Sequence, residues 1–340
     1  MKIWMSPTAL HYVVVAPSAR TFLVAPDSFK GTFDAATVAE AMARGIEASG
    51  GGVDRCPLAD GGEGTMAVLL GALGGERRKA RVHDPLRRPI EASFGLLADG
   101  ETAIVELAQA SGLPLVAEEE RDAERADTYG TGELIAAAIE AGATRVLVAA
   151  GGSASNDGGR GALEALRQTD AAVRIEVLCD VRTPFEEAAR VFAPQKGADA
   201  AAVERLTQRL HDLAAELPRD PRGVPMGGCA GGFSGGLWAH GAELRPGAEF
   251  VLDALDFDAR LARADAVVSG EGRLDSTSLE GKIVGAVADR CAAAGKTLHL
   301  IVGEDRLGPE APAPIVSTTE AGSLEDIETA ASGCSGCPGY

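Results

Sequence analysis

Several glycine-dense stretches hold the residue types that phosphoryl chemistry needs. In "GGSASNDGG" (151–159), Gly151, Gly152, Ser153, Ser155, Asn156 and Asp157 stand between an apolar run and a helical pattern. Glycines accept positive φ and let backbone N–H groups approach an anion, and a following helix adds its positive end. Ser153 and Ser155 could add donors, and Asp157 could hold a metal ion. "ADGGEGT" (59–65) places Asp60 and Glu63 at a strand end. Glu63 is explained as a cap for the next helix, which leaves Asp60 spare. "GEGRLDSTSLEGK" (270–282) carries Glu271, Arg273, Asp275 and Lys282, "PQKGA" supplies Lys196, and "CDV" supplies Asp180.

Each stretch alone also fits an ordinary strand-to-helix turn. Together they put several acids and three lysines, Lys30, Lys196 and Lys282, into loops. Kinase chemistry asks for that mixture: carboxylates for Mg²⁺, cations for the moving phosphoryl group and a base for the attacking hydroxyl. Asp60, Asp157, Asp180, Glu271 and Asp275 are the candidate acids. Asp180 ranks first as the base, because it stands without a capping role.

The wider composition supports this reading. Of the 32 basic residues only six are lysine, and four of those six adjoin a glycine. Where the chain needs plain surface charge it uses arginine, so a Lys beside a Gly suggests a compact ammonium in a tight loop. A formal net charge of -18 speaks against nucleic acid or an anionic membrane as partner. No apolar run reaches the length of a membrane span, and the first twenty residues lack a signal-peptide pattern. The six cysteines are scattered, and only Cys334 and Cys337 form a Cys-x-x-Cys, in a Gly/Ser/Pro tail. A reducing cytoplasm is the expected location.

The elements that must position these residues share one grammar: an apolar run, a glycine-rich turn, then a helical pattern. Phe22–Ala25, Cys56–Ala59, Val146–Ala150, Ala266–Ser269 and Leu298–Val302 read as strands, and Asp34 reads as the N-cap of a helix over 35–46. Such alternation predicts a parallel sheet covered by helices, with ligands beyond the carboxyl ends of its strands. The segments 82–116 and 175–255 break the grammar and predict a second unit. The expected organisation is an α/β protein of two interleaved domains. Residues 21–80, 128–170 and 260–331 form the parallel-sheet domain, and 81–127 and 171–259 form a second, mixed α/β domain. Residues 1–20 are an extension and 332–340 a tail.

The words "APDSFKG", "ADGGEGT", "DPLRRP", "ELAQASGLPLV", "TYGTGEL", "GGSASNDGG", "CDV", "PQKGA" and "GEGRLDS…GK" occur in an order that resembles the bacterial type-1 glycerate kinases. The resemblance runs from about Phe22 to Glu328. It implies ATP-dependent phosphorylation of D-glycerate, usually to 2-phosphoglycerate, on a flavodoxin-like domain paired with a second α/β domain, with the site in the cleft. The implied partners are D-glycerate and nucleotide with Mg²⁺, and a homodimer is compatible with it. The candidate catalytic residues are Lys30, Asp180, Lys196, Glu271 and Arg273. The candidate binding residues are Asp27, Ser28, Lys30, Gly151, Gly152, Ser153, Ser155, Asn156 and Lys282, and the candidate metal ligands are Asp60, Asp157 and Asp275.

Three departures stand out. Arg87 occupies a glycine position of the family pattern, and Ser155 stands where threonine is common. The chain also passes from Gln168 to Ile175 where the family carries a longer segment. Two other readings are therefore weighed. One is a catalytically weakened relative that senses glycerate or nucleotide. The other is a dehydrogenase, which lacks a clean G-x-G-x-x-G after the first strand.

Overall fold

The computed structural model describes residues 20–29, 31–167, 169, 173–279, 282–307 and 312–334. Lys30, Gln168, all but the last residue of the 1–20 extension and the end of the tail lie outside the described residues.

The strands in chain order are β1 (Thr21–Val24), β2 (Gly52–Arg55), β3 (Gly75–His83), β4 (Pro89–Leu97), β5 (Thr102–Glu106) and β6 (Arg145–Ala149). They continue with β7 (Arg174–Cys179), β8 (Glu243–Pro246), β9 (Ala266–Ser269), β10 (Thr297–Val302) and β11 (Ile315–Glu320). A five-stranded sheet runs β11-β10-β9-β1-β2, with every pairing parallel. A six-stranded sheet runs β3-β4-β5-β6-β7-β8, antiparallel at its β3-β4-β5 end and parallel from β5 to β8. The central strands β1, β9 and β10 are buried almost throughout, as expected where helices cover both faces, whereas the edge strands β2 and β11 carry polar, more exposed residues.

The helices follow from local signals. Asp34 caps the helix Ala35–Ala48 by accepting from Thr37 N at 2.7 Å. Its Val38, Met42 and Ile46 are fully buried. Gly295, at φ 64°, ends the helix Ile283–Ala294 as expected before β10.

Two sheet assignments differ from the sequence reading. The strand leading into "GGSASNDGG", β6, pairs with β5 and β7 and so belongs to the mixed sheet, not to the parallel one. Periodicity cannot distinguish the two, because β5, β6 and β7 are themselves parallel and largely buried. The second strand ends at Arg55, so Cys56–Ala59 follows it as a buried run, with Cys56 N still donating to Val24 O at 2.7 Å.

The two sheets share one core. Leu23, Leu58, Met66 and Leu69 from the parallel-sheet side pack with Ile104, Leu147, Leu178 and Val251. Each such side chain contributes about 1.5–3 kcal/mol by burial, so the sheets are not free to separate. At the other end of the mixed sheet Glu176 is fully buried, held by Arg145 at 2.6 Å and by Arg174 and Arg245 at 3.2 Å each. Burial would raise its pKa, but the bond to Arg145 and the three arginine charges hold it below the usual range. No described helix is long and apolar enough to cross a membrane.

Candidate active site

The loops after β2 and β6 meet backbone to backbone, and the loop after β7 brings the Asp180 side chain to them. A Cβ placed on Gly151 would stand 2.7 Å from Gly62 Cα, and one on Gly62 would stand 3.5 Å from Gly151 Cα. Glycine is required at 151 for the loops to touch, whereas a Cβ at 62 would make only ordinary contact with Gly151. The contact also gathers carboxylates: the same two Cβ positions lie 3.8 Å from Asp180 Oδ2 and 3.1 Å from Asp60 Oδ1. Asp60 is buried, with Oδ1 accepting from Gly62 N at 3.1 Å.

Beside this contact opens a cavity of about 340 Å³, lined by Glu63, Gly151, Gly152, Ser153, Asp180 and Lys196 among others. Lys196 is 2% exposed, and its Nζ donates to Ser153 Oγ at 2.8 Å and to Ser155 O at 2.6 Å. Loss of hydration lowers its pKa to about 7, against the weaker opposing effects of Cys229 and Asp157. The Cys229 thiol, also on the cavity wall, donates to Asp180 Oδ1 at 3.5 Å. The Ser155 hydroxyl and both side-chain polar atoms of Asn156 are buried without a hydrogen-bond partner among the described residues. Buried polar groups left unpaired cost about 1–3 kcal/mol each, so water or ligand is expected to serve them.

Asp157 does something other than hold metal. Its Oδ2 accepts from Thr128 N, Thr128 Oγ1 and Gly161 N at 2.8–2.9 Å, and its Oδ1 accepts from Gly159 N at 3.0 Å. It thereby caps the helix Arg160–Leu166 and ties it to the start of the helix Tyr129–Glu140. The helix end that sequence offered to a phosphate is taken by this carboxylate. Gly158 and Gly159 likewise face protein: a Cβ on them would meet Leu213 at 2.5 Å and Phe233 O at 3.0 Å. Their bareness lets the 151–159 loop interlock with the 226–236 loop.

Asp27, Ser28, Glu271, Arg273, Asp275 and Lys282 sit at the carboxyl ends of β1 and β9, and none of them lines the Asp180 cavity. Asp27 is buried, accepts from Ser28 N at 2.6 Å and donates its own N–H to Gly270 O. Arg273 pairs with Glu304 at 3.1 Å. Asp275 Oδ1 accepts from Thr277 Oγ1 at 2.6 Å, and Lys282 Nζ donates to the same hydroxyl at 3.2 Å. Those Thr277 bonds, with the Lys282 charge, hold the Asp275 carboxyl below its usual range. Asp60, Asp157 and Asp275 are thus not brought together, and no group of three His, Cys, Asp or Glu among the described residues could hold a metal ion.

Sequence reasoning missed one acid, Glu106, and assigned another, Glu63, to the wrong role. The cap of the helix Thr65–Leu73 is Glu106, which accepts from Gly64 N and Met66 N at 2.9 Å, whereas Glu63 is exposed and faces the cavity. A carboxylate closing the otherwise apolar strand Thr102–Glu106 was the available signal. Burial pushes its pKa up, against the pull of those two N–H groups.

Comparison with known proteins agrees with this architecture. The chain matches the model of the Glycerate kinase family over residues 22–170 and 167–321. It is 39% identical over 303 residues to a glycerate kinase of Bacillus subtilis (strain 168), covering 76% of this chain and 78% of that one. It is 37% identical over 309 residues to a glycerate 2-kinase of Escherichia coli (strain K12), covering 78% and 81%. A crystal structure from Salmonella typhimurium LT2, assigned as a glycerate kinase 2, superposes with a TM-score of 0.79 at 33% identity, covering 93% of this chain and 97% of that one. Sequence and fold agree over most of both chains: this protein belongs to the glycerate kinase family.

Proposed function

We propose that the chain transfers the γ-phosphoryl group of ATP to a hydroxyl of D-glycerate, giving 2-phosphoglycerate and ADP. The observation that carries this is the placement of Asp180 and Lys196 on one cavity with the Gly151–Ser153 turn. Asp180 takes the proton of the attacking hydroxyl as the new O–P bond forms and the bond to ADP breaks. Lys196, held by Ser153, neutralises a phosphoryl oxygen; a buried ammonium is worth more there than in water. The unpaired Ser155 and Asn156 groups are the donors and acceptor left for a ligand or its water.

Mg²⁺ fits this arrangement without a dedicated cage. It keeps waters and phosphate oxygens and takes only one or two carboxylates, and Asp60 and Asp180 lie beside the Gly62–Gly151 contact. When bound, it would neutralise charge on the nucleotide phosphates. Asp27, Ser28, Glu271, Arg273 and Lys282, from the side of the parallel sheet, are assigned to the second reactant, and Lys30, which lies outside the described residues, is assigned with them. The sensor reading gains no support, because the carboxylates and the buried lysine are in place.

The test is a coupled assay of ADP release with and without D-glycerate, followed by phosphorus NMR of the product. Phosphorus on the CH oxygen splits into a doublet, and on the CH₂ oxygen into a triplet. A doublet is expected. ATP turnover indifferent to D-glycerate would reject the function, and a triplet would reassign the hydroxyl.

A further inference from the structure

A larger cavity, about 650 Å³, lies on the far side of the turn that carries Lys196, lined by Leu86, Arg121, Arg125, Gly197, Asp199 and Arg205 among others. It shares no lining residue with the Asp180 cavity. The turn Pro194–Lys196 is their common wall: Gln195 and Lys196 face one side, and Gly197 and Ala198 face the other.

Most charges around this second cavity are already satisfied. Arg205 makes a two-pronged pair with Glu124, at 2.9 and 2.7 Å. Arg88 bonds Asp84 and Glu120. Asp122 accepts from the backbone of Glu124 and Arg125, and Asp199 caps the helix Ala200–Glu216 by accepting from Ala202 N. The exceptions are Arg121, Arg125 and the exposed carboxylate of Glu119, and only Arg121 among them has a buried unpaired nitrogen. Arg121 Nε is buried without a hydrogen-bond partner, although carboxylates stand on either side of it in sequence. A guanidinium nitrogen withdrawn from water and left unpaired is costly, and its five-donor fork matches phosphate oxygens. Arg125, exposed on the same wall, makes no side-chain bond among the described residues and offers a second cation.

The backbone links this site to the first. Gly197, at φ 92°, lies directly against Arg121: a Cβ there would stand 3.0 Å from Arg121 O and 3.1 Å from Arg121 Cβ. Gly197 follows Lys196, so a shift of Arg121 toward a bound anion reaches the buried ammonium through one residue.

We infer that this cavity is a regulatory anion site for a phosphoryl group, either inorganic phosphate or a phosphate monoester. Arg121 is its main ligand, and occupancy adjusts Lys196 through Gly197. The regulatory half rests on the kinase reading above; the binding half does not.

The full chain is titrated separately with inorganic phosphate and with glycerol 2-phosphate, as wild type and as Arg121→Gln, reading binding isotherms and steady-state kinetics. In the wild type, phosphoryl anion is expected to change kcat without competing with D-glycerate or ATP. Arg121→Gln should weaken the noncompetitive site at least about tenfold and abolish the response, leaving basal kcat and both KM values unchanged. The tighter of the two anions in the wild type identifies the source. Should Arg121→Gln fold poorly, Arg125→Gln takes its place, with an expected weakening of several-fold. Unchanged anion binding in the variants would overturn the site. So would purely competitive inhibition, or loss of basal turnover in a folded Arg121→Gln. If the wild type shows no D-glycerate-dependent turnover at all, the kinase reading fails, and the binding isotherms still decide the anion site.

Discussion

Lys196 Nζ sits 2.8 Å from Ser153 Oγ, so the cation of the site is held by the glycine turn that follows β6. That turn is therefore a mount for a buried ammonium as much as a cradle for a ligand. The consequence is a lysine whose charge is conditional on pH.

With its pKa lowered to about 7, Lys196 loses its proton in the free enzyme near neutrality. kcat/KM for D-glycerate should fall with pH above that value. A bound phosphoryl group favours the charged form, so the fall in kcat comes at higher pH. Stability should move the other way. Between about 7 and the unfolded value of about 10.4, the unfolded chain binds the extra proton, so stability rises with pH over that window. Denaturant titrations of wild type and Lys196→Met across this range check it, and equal pH slopes would contradict the assignment.

Gly151→Ala and Gly152→Ala should separate contact from conformation. The Gly151 methyl would strike Gly62 Cα at 2.7 Å and push apart the loops after β6 and β2, displacing Asp60 relative to Asp180. Turnover should fall at least about tenfold, with a drop in melting temperature. Gly152 has φ 76°, but its methyl would meet only Ala108 Cβ at 3.4 Å and Glu63 at 3.8 Å. Its cost should be about 1 kcal/mol of stability, from backbone strain. Equal losses of turnover in the two variants would refute the distinction.

Arg87 holds φ 63°, in the left-handed region, and other contacts offset that strain. Its guanidinium lies 3.9 Å from the Tyr129 ring centroid and pairs with Asp127 at 2.6 Å and Glu164 at 3.1 Å. Arg87→Ala keeps the strain and loses the contacts, and should cost about 1–2 kcal/mol; Arg87→Gly trades one for the other and should stay within about 0.5 kcal/mol of wild type. Chemical denaturation of the two variants measures the difference.

Glu176→Gln leaves Arg145, Arg174 and Arg245 facing each other across β6 to β8. The arginines are partly solvated, so the loss should be about 2 kcal/mol, below that of a fully buried pair. In the wild type the Glu176 contribution is present above its unfolded pKa and is lost as pH falls through the lowered folded value. The variant should lack that acid-side loss.

Much of this was legible in the sequence. Strand-turn-helix order gave an α/β chain, Asp34 declared a helix start, and Asp180 and Lys196 were singled out from separate loops that the fold brings to one cavity. Sheet membership of β6 was not legible, because which neighbour an apolar strand pairs with is decided by distant segments. The purpose of Gly158 and Gly159 was misread for the same reason: their partners, Leu213 and Phe233, are more than fifty residues away. Asp157 looked like a metal ligand because a cap for its own helix and a cation site call for the same residue type. Glu106, a cap supplied from another strand, had no local spacing to reveal it.

The central claim is that Asp180 takes the proton of a D-glycerate hydroxyl during phosphoryl transfer. The direct measurement is ADP formation from ATP, with and without D-glycerate, for wild type and Asp180→Asn of matched melting temperature. The wild type should release ADP only with D-glycerate, and the near-isosteric variant should be slower by about 10²–10⁴ in kcat. D-glycerate-dependent turnover at the wild-type rate in Asp180→Asn would contradict the account.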